Sequence, residues 1–422
     1  MAKILLVNPN RYTQPPVPPI GLEYLAAAIV RAGHEYLLLD LTFSDNPQEA
    51  LRGALEDYAP SIAGFTVRNI DSAIYHNNLF FLDGIAELVG VTSDAGVHSV
   101  VGGAGFSFAP AEILVHLGAR WAVDGPGEDA LCTLLNLLDR GSPPAPGTVF
   151  DGWSKTDIFA EEQKPYRLTE GIDYERYLAE GAIGGFRTQT GCRGTCSFCA
   201  EANRKVVFRS PRAVANELAE MVARGVKRYH LCDSGFNQDL LFCHSLLAEL
   251  ASAGLGINWA LYMKTSPFDS KLFSLLARSG ADLVTITYPC GVPEEPELAA
   301  SAISLAKEHG IRVAVDYLCG LPGQSEQDVA RELDVLRAAA PDTVGVSNCV
   351  RLYPRTASAR LVCGAPSLHG GLLGKLDGNP GLLRPVFYSG IDLESVRKLI
   401  GGDPLFKIEG FERSTNYQRL SD

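Results

Sequence analysis

The chain has 422 residues, 46% hydrophobic and 20% charged, which excludes a disordered or fibrous protein and allows two or three domains. Its 49 acidic and 37 basic residues give a formal net charge of -12, against broad contact with nucleic acid or an anionic membrane. A small-molecule or peptide partner is the expectation that remains.

The opening "MAKILLVNPNRYTQ" lacks a long apolar core and a small-residue cleavage site, so no secretory leader is expected. No apolar run is long enough to predict a membrane span. The ten cysteines are therefore expected in a reducing cytoplasm, where clustered thiols point to metal or redox chemistry rather than disulfides. Most of the scattered ones, such as Cys132, Cys243 and Cys319, read as small buried hydrophobes.

The first elements alternate. "KILLVNP" from Lys3 reads as a buried parallel strand, and a helix follows from Ile20 to Ala32, stopped by Gly33. "EYLLLDL", a helix over Asn46 to Tyr58, "SIAGFTV" and a helix over Asn77 to Leu88 continue the pattern. "SVVGG", "WAVDGPG" and the helix "EDALCTLLNLL" complete it, predicting an open doubly wound, Rossmann-like α/β sheet over 1–142. The Pro/Gly-rich "GSPPAPG" opens an expected linker over 143–180.

Alternation resumes over 181–365. The strands are "GGFRTQ", "VKRYHLCD", "INWALYM", "DLVTITY", "IRVAVDYLCG" and "TVGVSNCVRLY". Helical patterns separate them at Ser210–Arg224, Leu240–Ala253, Ser270–Ser279, Glu295–His309 and Ser325–Ala339, predicting a parallel barrel or partial barrel. Residues 366–422 read as a cap with one helix near Asp392–Ile400.

"TGCRGTCSFC" places Cys192, Cys196 and Cys199 just after the first strand of this second domain. A zinc site would need a fourth ligand, and residues 200–229 hold neither cysteine nor histidine. A cubane 4Fe-4S cluster can use three thiolates and leave one iron open to another ligand. Gly191 and Gly194 permit tight turns around the cluster, and Phe198 is placed to shield it from water.

With this triad after the first barrel strand, the chain resembles the radical S-adenosylmethionine (SAM) superfamily. The resemblance implies a partial (βα)6 barrel and SAM chelated to the open iron. It also implies an external electron donor such as flavodoxin or ferredoxin. "LCDSGFN" resembles the segment that meets the SAM amino group, which implies Asp233 and Ser234 there. "YMKT" offers Lys264 to the SAM carboxylate or ribose, or else a solvated lysine. "DYLCGLPGQSEQD" resembles a segment whose backbone faces adenine, implying Asp316, Gly320 and Leu321, and "RLYPRTAS" brings Tyr353 at the last strand. "TITYPCGVPEE" departs from the superfamily pattern, so Tyr288 or Cys290 is expected to face the substrate, or else to be structural.

A doubly wound sheet ahead of such a barrel resembles the cobalamin (B12)-dependent class of these enzymes. Ligands of these sheets sit beyond the carboxyl ends of the strands. The candidates there are Asn8, Arg68, Asn69, Gly102, Gly103, Gly105, Asp124, Gly125, Gly127 and Glu128. Without an Asp-x-His-x-x-Gly motif, no histidine is expected on the cobalt; Arg68 is the candidate to lie under the corrin, the other reading being a pair with Asp71. The resemblance implies a C-methyltransferase for a small metabolite or natural-product precursor. A non-methylating rearrangement, ring contraction or cyclisation, methyl transfer to an sp2 carbon, and a non-catalytic sensor are the alternatives. A methylthiotransferase would need further cluster ligands where the first domain has only Cys132.

Overall fold

The computed structural model describes residues 1–154, 164–289, 291 and 295–411. They form two compact units, one of Met1–Ser72 and Leu79–Ile183, the other of Ala73–Asn78 and the chain from Gly184 onwards. Among the described residues no helix is long and apolar enough to cross a membrane.

In the first unit, β1 (Lys3–Asn8), α1 (Ile20–Arg31), β2 (Glu35–Asp40), α2 (Pro47–Tyr58) and β3 (Ile62–Thr66) come in turn. Then follow α3 (Leu82–Asp94), β4 (His98–Gly102), α4 (Pro110–Leu117), β5 (Trp121–Asp124), α5 (Glu128–Asp139), β6 (Val149–Asp151) and α6 (Tyr174–Ala179). The strand order is β2-β1-β3-β4-β5-β6, all parallel. Chain order reverses between β1 and β3, so helices lie on both faces and a crevice opens beyond the carboxyl ends of those strands. Ile4, Leu6, Leu22, Ala26, Ile29 and Trp121 belong to the core between α1, α5 and the sheet.

Three features differ from the sequence expectation. The third helix begins at Leu82 rather than Asn77, because residues 73–78 join the second unit and an Asp71–Phe80 bridge restarts the chain. It runs on to Asp94, and within its last turn the Thr92 and Ser93 hydroxyls donate back to the carbonyls of Leu88 and Val89. The expected linker, where described, belongs largely to this unit: β6 extends the sheet, and α6 buries Tyr177, whose hydroxyl lies 2.8 Å from both Asp40 and Thr42. Arg167 pairs at 3.0 Å with Glu23, a fully buried carboxylate on α1.

The second unit begins with β7 (Gly184–Phe186), β8 (Gln189–Thr190), β9 (Val207–Phe208) and α7 (Pro211–Ala223). Next are β10 (Arg228–Leu231), α8 (Leu240–Ala253), β11 (Asn258–Lys264), α9 (Ser270–Arg278), β12 (Ala281–Tyr288) and α10 (Glu295–Glu308). β13 (Arg312–Leu318), α11 (Glu326–Ala339), β14 (Thr343–Ser347), β15 (Val350–Arg351) and α12 (Ala357–Gly364) follow. Last are β16 (Leu372–Leu373), β17 (Phe387–Tyr388), α13 (Leu393–Ile400) and β18 (Phe406–Ile408). Its main sheet has the order β18-β14-β13-β12-β11-β10-β7, parallel throughout. The strands lie side by side in chain order. Right-handed crossovers in one direction place the helices on one face and leave the other as an inner face. Among the described residues the sheet does not close, which makes it a partial barrel, with β18 as a seventh strand that the sequence did not announce.

Polar caps punctuate the helices. Ser210, Asp239, Asp269 and Asp392 accept from N–H groups in the first turns of α7, α8, α9 and α13, and Ser325 with Asp328 forms a capping box on α11. The predicted single strand "TVGVSNCVRLY" breaks after Ser347, and its second half, β15, pairs antiparallel with β17 in a separate small sheet.

Candidate active site

The cysteines sit in the loop between β8 and β9, a short antiparallel hairpin pairing Gln189 with Phe208 and Thr190 with Val207. Inside it, the N–H of Arg204 donates to the Cys192 carbonyl at 2.8 Å, that of Asn203 to Gly194 at 2.9 Å, and that of Cys199 to Cys196 at 3.1 Å. Gly191 has φ +82°, and a Cβ there would stand 2.0 Å from the Lys205 carbonyl oxygen, so this turn requires glycine. Behind the hairpin, buried Arg209 pairs at 2.8 Å with buried Glu217 on α7 and donates to the Arg187 carbonyl at 2.9 Å.

Among the described residues, no three His, Cys, Asp or Glu side chains converge as ligands of a single metal ion. A cubane attaches each thiolate to a different iron, so three sulfurs in one loop that do not share one point fit it better than zinc. Burial above all, with Glu201, Cys196 and Cys192 adding, pushes the Cys199 thiol up to about 12, against a lowering hydrogen bond from the Glu201 backbone. Such a thiol becomes a thiolate only beside compensating positive charge, which iron supplies.

Cys192 is the buried member of the three. Its sulfur lies 3.2 Å from Lys264 Nζ at the end of β11, 3.5 Å from Gln238 Nε2 and 3.4 Å from the Gly194 amide. Lys264 was expected at the SAM carboxylate or ribose, and here it reaches the cysteine loop. Gln238, one residue past the "LCDSGFN" segment, was not singled out from the sequence. Its side-chain oxygen accepts from the Arg193 amide at 3.0 Å, tying the cysteine loop to the turn after β10.

Several candidates have hydrogen-bond or packing partners within the chain. Asp233, expected to meet the SAM ammonium, is buried and accepts from the backbone of Thr188 at 2.9 Å and of Gln189 at 3.3 Å, clamping the entry to the hairpin. Burial raises its carboxyl to about 6 despite those bonds and the Arg209 charge, which lower it. Ser234 donates to Glu201. Phe198, expected to shield the cluster, packs in a small core with Val350, Leu352 and Tyr388.

Tyr288 does not face the inner surface. Its ring stacks on Tyr317 at 5.7 Å, and the Tyr317 hydroxyl donates to Glu332 on α11 at 2.7 Å, so both tyrosines occupy the layer between sheet and helices. Burial, then the charges of Glu332 and Glu295, raises its hydroxyl pKa above the ordinary tyrosine value. Cys290 lies outside the described residues. The residues one step before the tyrosines take the other face: Lys264, Thr287, Asp316, Gly345 and Lys407 are register partners in one row across β11, β12, β13, β14 and β18. Two residues on, Ser347 donates to Glu409, whose carboxyl burial raises to about 7. That carboxylate was missed because the three-residue strand before it carries too little pattern. Gly320 packs against Ser389 and Asn348, Leu321 borders the small core, and Tyr353 lies under the Arg351 guanidinium at 4.9 Å.

In the first unit, a cavity of about 380 Å³ opens at the crevice where strand order reverses. Asn10 and Tyr12 after β1, Arg68 and Asn69 after β3, and Phe81 before α3 help line it. It brings together two of the ten candidates from this unit. Asn8 is instead a buried hub, donating to Asp40 at 2.9 Å and Thr42 at 3.0 Å. The glycines expected to admit a ligand also lie close to neighbouring segments of the chain: a Cβ on Gly103, at φ +105°, would stand 2.7 Å from the Val67 carbonyl oxygen. Gly105 abuts Asn69, Gly125 abuts Trp153, Gly127 abuts Leu25, and Gly102 abuts Val123. Asp124 ends β5, and buried Glu128 starts α5. The cavity lies beyond the carboxyl ends of the strands, where ligands of such sheets bind.

Residues 11–135 match the family model described as the B12 binding domain. The chain is 26% identical to the tryptophan 2-C-methyltransferase of Streptomyces laurentii, over 85% of this chain and 74% of that one. It is 22% identical to the cytidylyl-2-hydroxyethylphosphonate methyltransferase of Streptomyces wedmorensis, over 80% of this chain and 77% of that one. Among solved structures, the radical S-adenosylmethionine methyltransferase TsrM from Kitasatospora setae, with cobalamin and a 4Fe-4S cluster bound, is similar at a TM-score of 0.85. The match has 25% identity and covers 97% of this chain and 93% of that one.

Proposed function

Because this chain belongs to the cobalamin-dependent radical SAM enzymes, we propose that it methylates a carbon atom of a small metabolite or natural-product precursor. The observation that carries this is the union, in one chain, of a B12-type sheet with its crevice and a three-cysteine hairpin on a parallel partial barrel. Bound cobalamin supplies a methyl carrier, and the cluster supplies electrons and a site for SAM.

This chain's residues hold and orient these groups. Cys192, Cys196 and Cys199 ligate the cluster, and Arg68, lining the crevice cavity, meets the corrin. The inner row with Thr287 and Asp316 offers a hydroxyl and a carboxylate to SAM or the substrate, and Gly320, Leu321 and Tyr353 border the SAM site. Ser347 and Glu409 stand two residues further along the same face, where a raised carboxyl suits proton acceptance from a substrate. Reduction comes from flavodoxin or ferredoxin in the cytoplasm.

Tryptophan, named as the substrate of one relative, is the first acceptor to test. Its carbon 2 is an sp2 carbon, and methylation there needs loss of a proton rather than abstraction of a hydrogen atom. Protein purified anaerobically with hydroxocobalamin should show a corrin spectrum together with bound iron and sulfide. It should pass label from methyl-labelled SAM to tryptophan or to a related amino acid or metabolite. Exchange of all three cysteines for alanine should remove iron and leave the corrin. A wild-type protein without corrin would defeat the cobalamin assignment.

A further inference from the structure

We propose that Lys264 and Gln238 set the reduction potential of the cluster through the sulfur of Cys192. This rests on the assignment of the triad as cluster ligand, and goes beyond it by naming what tunes the cluster. Three thiolates on a cubane give it net negative charge, and reduction adds to that charge. A cation or N–H donor at a ligand sulfur therefore favours the reduced state.

The backbone that carries Lys264 and the amide of Gln238 are both held by hydrogen bonds. Lys264 ends β11, where the Asn237 side chain grips its backbone twice, accepting from the N–H at 2.9 Å and donating to the carbonyl at 3.0 Å. Its ammonium then stands 3.2 Å from Cys192 Sγ. The Gln238 amide, 3.5 Å from the same sulfur, is fixed at both ends: it donates to the Gly235 carbonyl at 3.0 Å and accepts from the Arg193 amide at 3.0 Å.

Gly194 supplies an independent sign that the loop is shaped around the lysine. A Cβ built there would lie 2.1 Å from Lys264 Nζ and 2.8 Å from its Cε. Gly194 has no left-handed φ, so glycine serves here to leave room. The two atoms that must give way are the far end of a flexible chain, and Cys192 Sγ, at 3.3 Å from that Cβ, is the next neighbour. Alanine at 194 should displace the ammonium while leaving the hairpin and the lysine's charge in place.

The test is a potentiometric titration of the cluster in the full-length chain, followed by electron paramagnetic resonance without substrate. Lys264→Met should make the midpoint more negative by at least a tenfold change in the reduction equilibrium, about 59 mV for one electron. Gly194→Ala should shift it the same way, Gln238→Leu by less, and Lys264→Arg should hold it near wild type. Wild-type midpoints in both Lys264→Met and Gly194→Ala, each with wild-type iron content, would overturn the proposal. If Lys264→Met fails to hold iron, the Gly194→Ala and Gln238→Leu midpoints decide. A wild-type chain with no cluster signal would defeat the cluster assignment instead.

Discussion

Exchange of Glu217 for alanine asks whether the cysteine loop is held shut from behind. Arg209 leads out of β9, the return strand of the hairpin, and its side chain is 3% exposed; the Glu217 side chain on α7, 2.8 Å away, is 1% exposed. Removing one member of a buried pair leaves the other charge uncompensated, at a cost of about 3–5 kcal/mol. The closed hairpin bears that cost, and it is relieved when the strand opens and Arg209 meets water. At about 1.4 kcal/mol per factor of ten, the open population should rise by roughly two to three and a half orders of magnitude. With fast reclosing, loss of iron to a chelator follows that population and accelerates by a similar factor. The assay is anaerobic bleaching of the cluster's visible absorption in excess chelator. Glu217→Gln, which keeps a neutral acceptor, should fall between wild type and alanine. Bleaching of Glu217→Ala within about threefold of wild type would show that the pair does not secure the loop, since the cost above predicts a far larger change.

Gly191→Ala should abolish iron binding with all three cysteines intact, because the new methyl meets the Lys205 carbonyl of the hairpin's own backbone; iron and sulfide analysis reads this directly. Asp233 keeps its proton to about pH 6 in the fold and gives it up near 3.8 when unfolded. Its contribution is therefore most favourable below the unfolded value and declines as pH rises through this window, by about 3 kcal/mol. Asp233→Asn should flatten that part of the denaturation profile, and an unchanged slope would assign it to other groups. Tyr288→Phe should leave methyl transfer within about twofold of wild type in a labelled-SAM assay, since the ring faces the helix layer.

The triad was legible because its spacing is local. Three thiols within one short loop point to a cluster rather than a zinc site, and the βα alternation follows from strands buried on both faces separated by amphipathic helices. That same burial hid the orientation of Tyr288. "ADLVTITY" has no clean period of two, and only the register with Tyr317 and Asp316 shows which residues turn inward. Lys264 and Gln238 come to Cys192 from separate segments, a contact that spacing cannot show. Asp233 lay in a recognisable segment, but its carboxylate serves the hairpin backbone, a hydrogen bond across 45 residues of sequence.

The last strand of the barrel has a consequence for how the chain is made. β14 is complete at Ser347, yet its outer edge finds its partner only when Phe406–Ile408 emerge as β18. Until then a buried-type strand offers unpaired backbone groups to any passing chain, the condition under which nascent sheets aggregate. The first sheet needs nothing beyond β6 to finish its hydrogen bonding and can settle early during synthesis. The barrel edge must wait, and β18, at three residues, then leaves only a short edge of its own. Shortening the chain after α13 should thus reduce yield of soluble protein before it touches chemistry, a late-folding liability created by a strand about 200 residues along the chain from the cysteine triad.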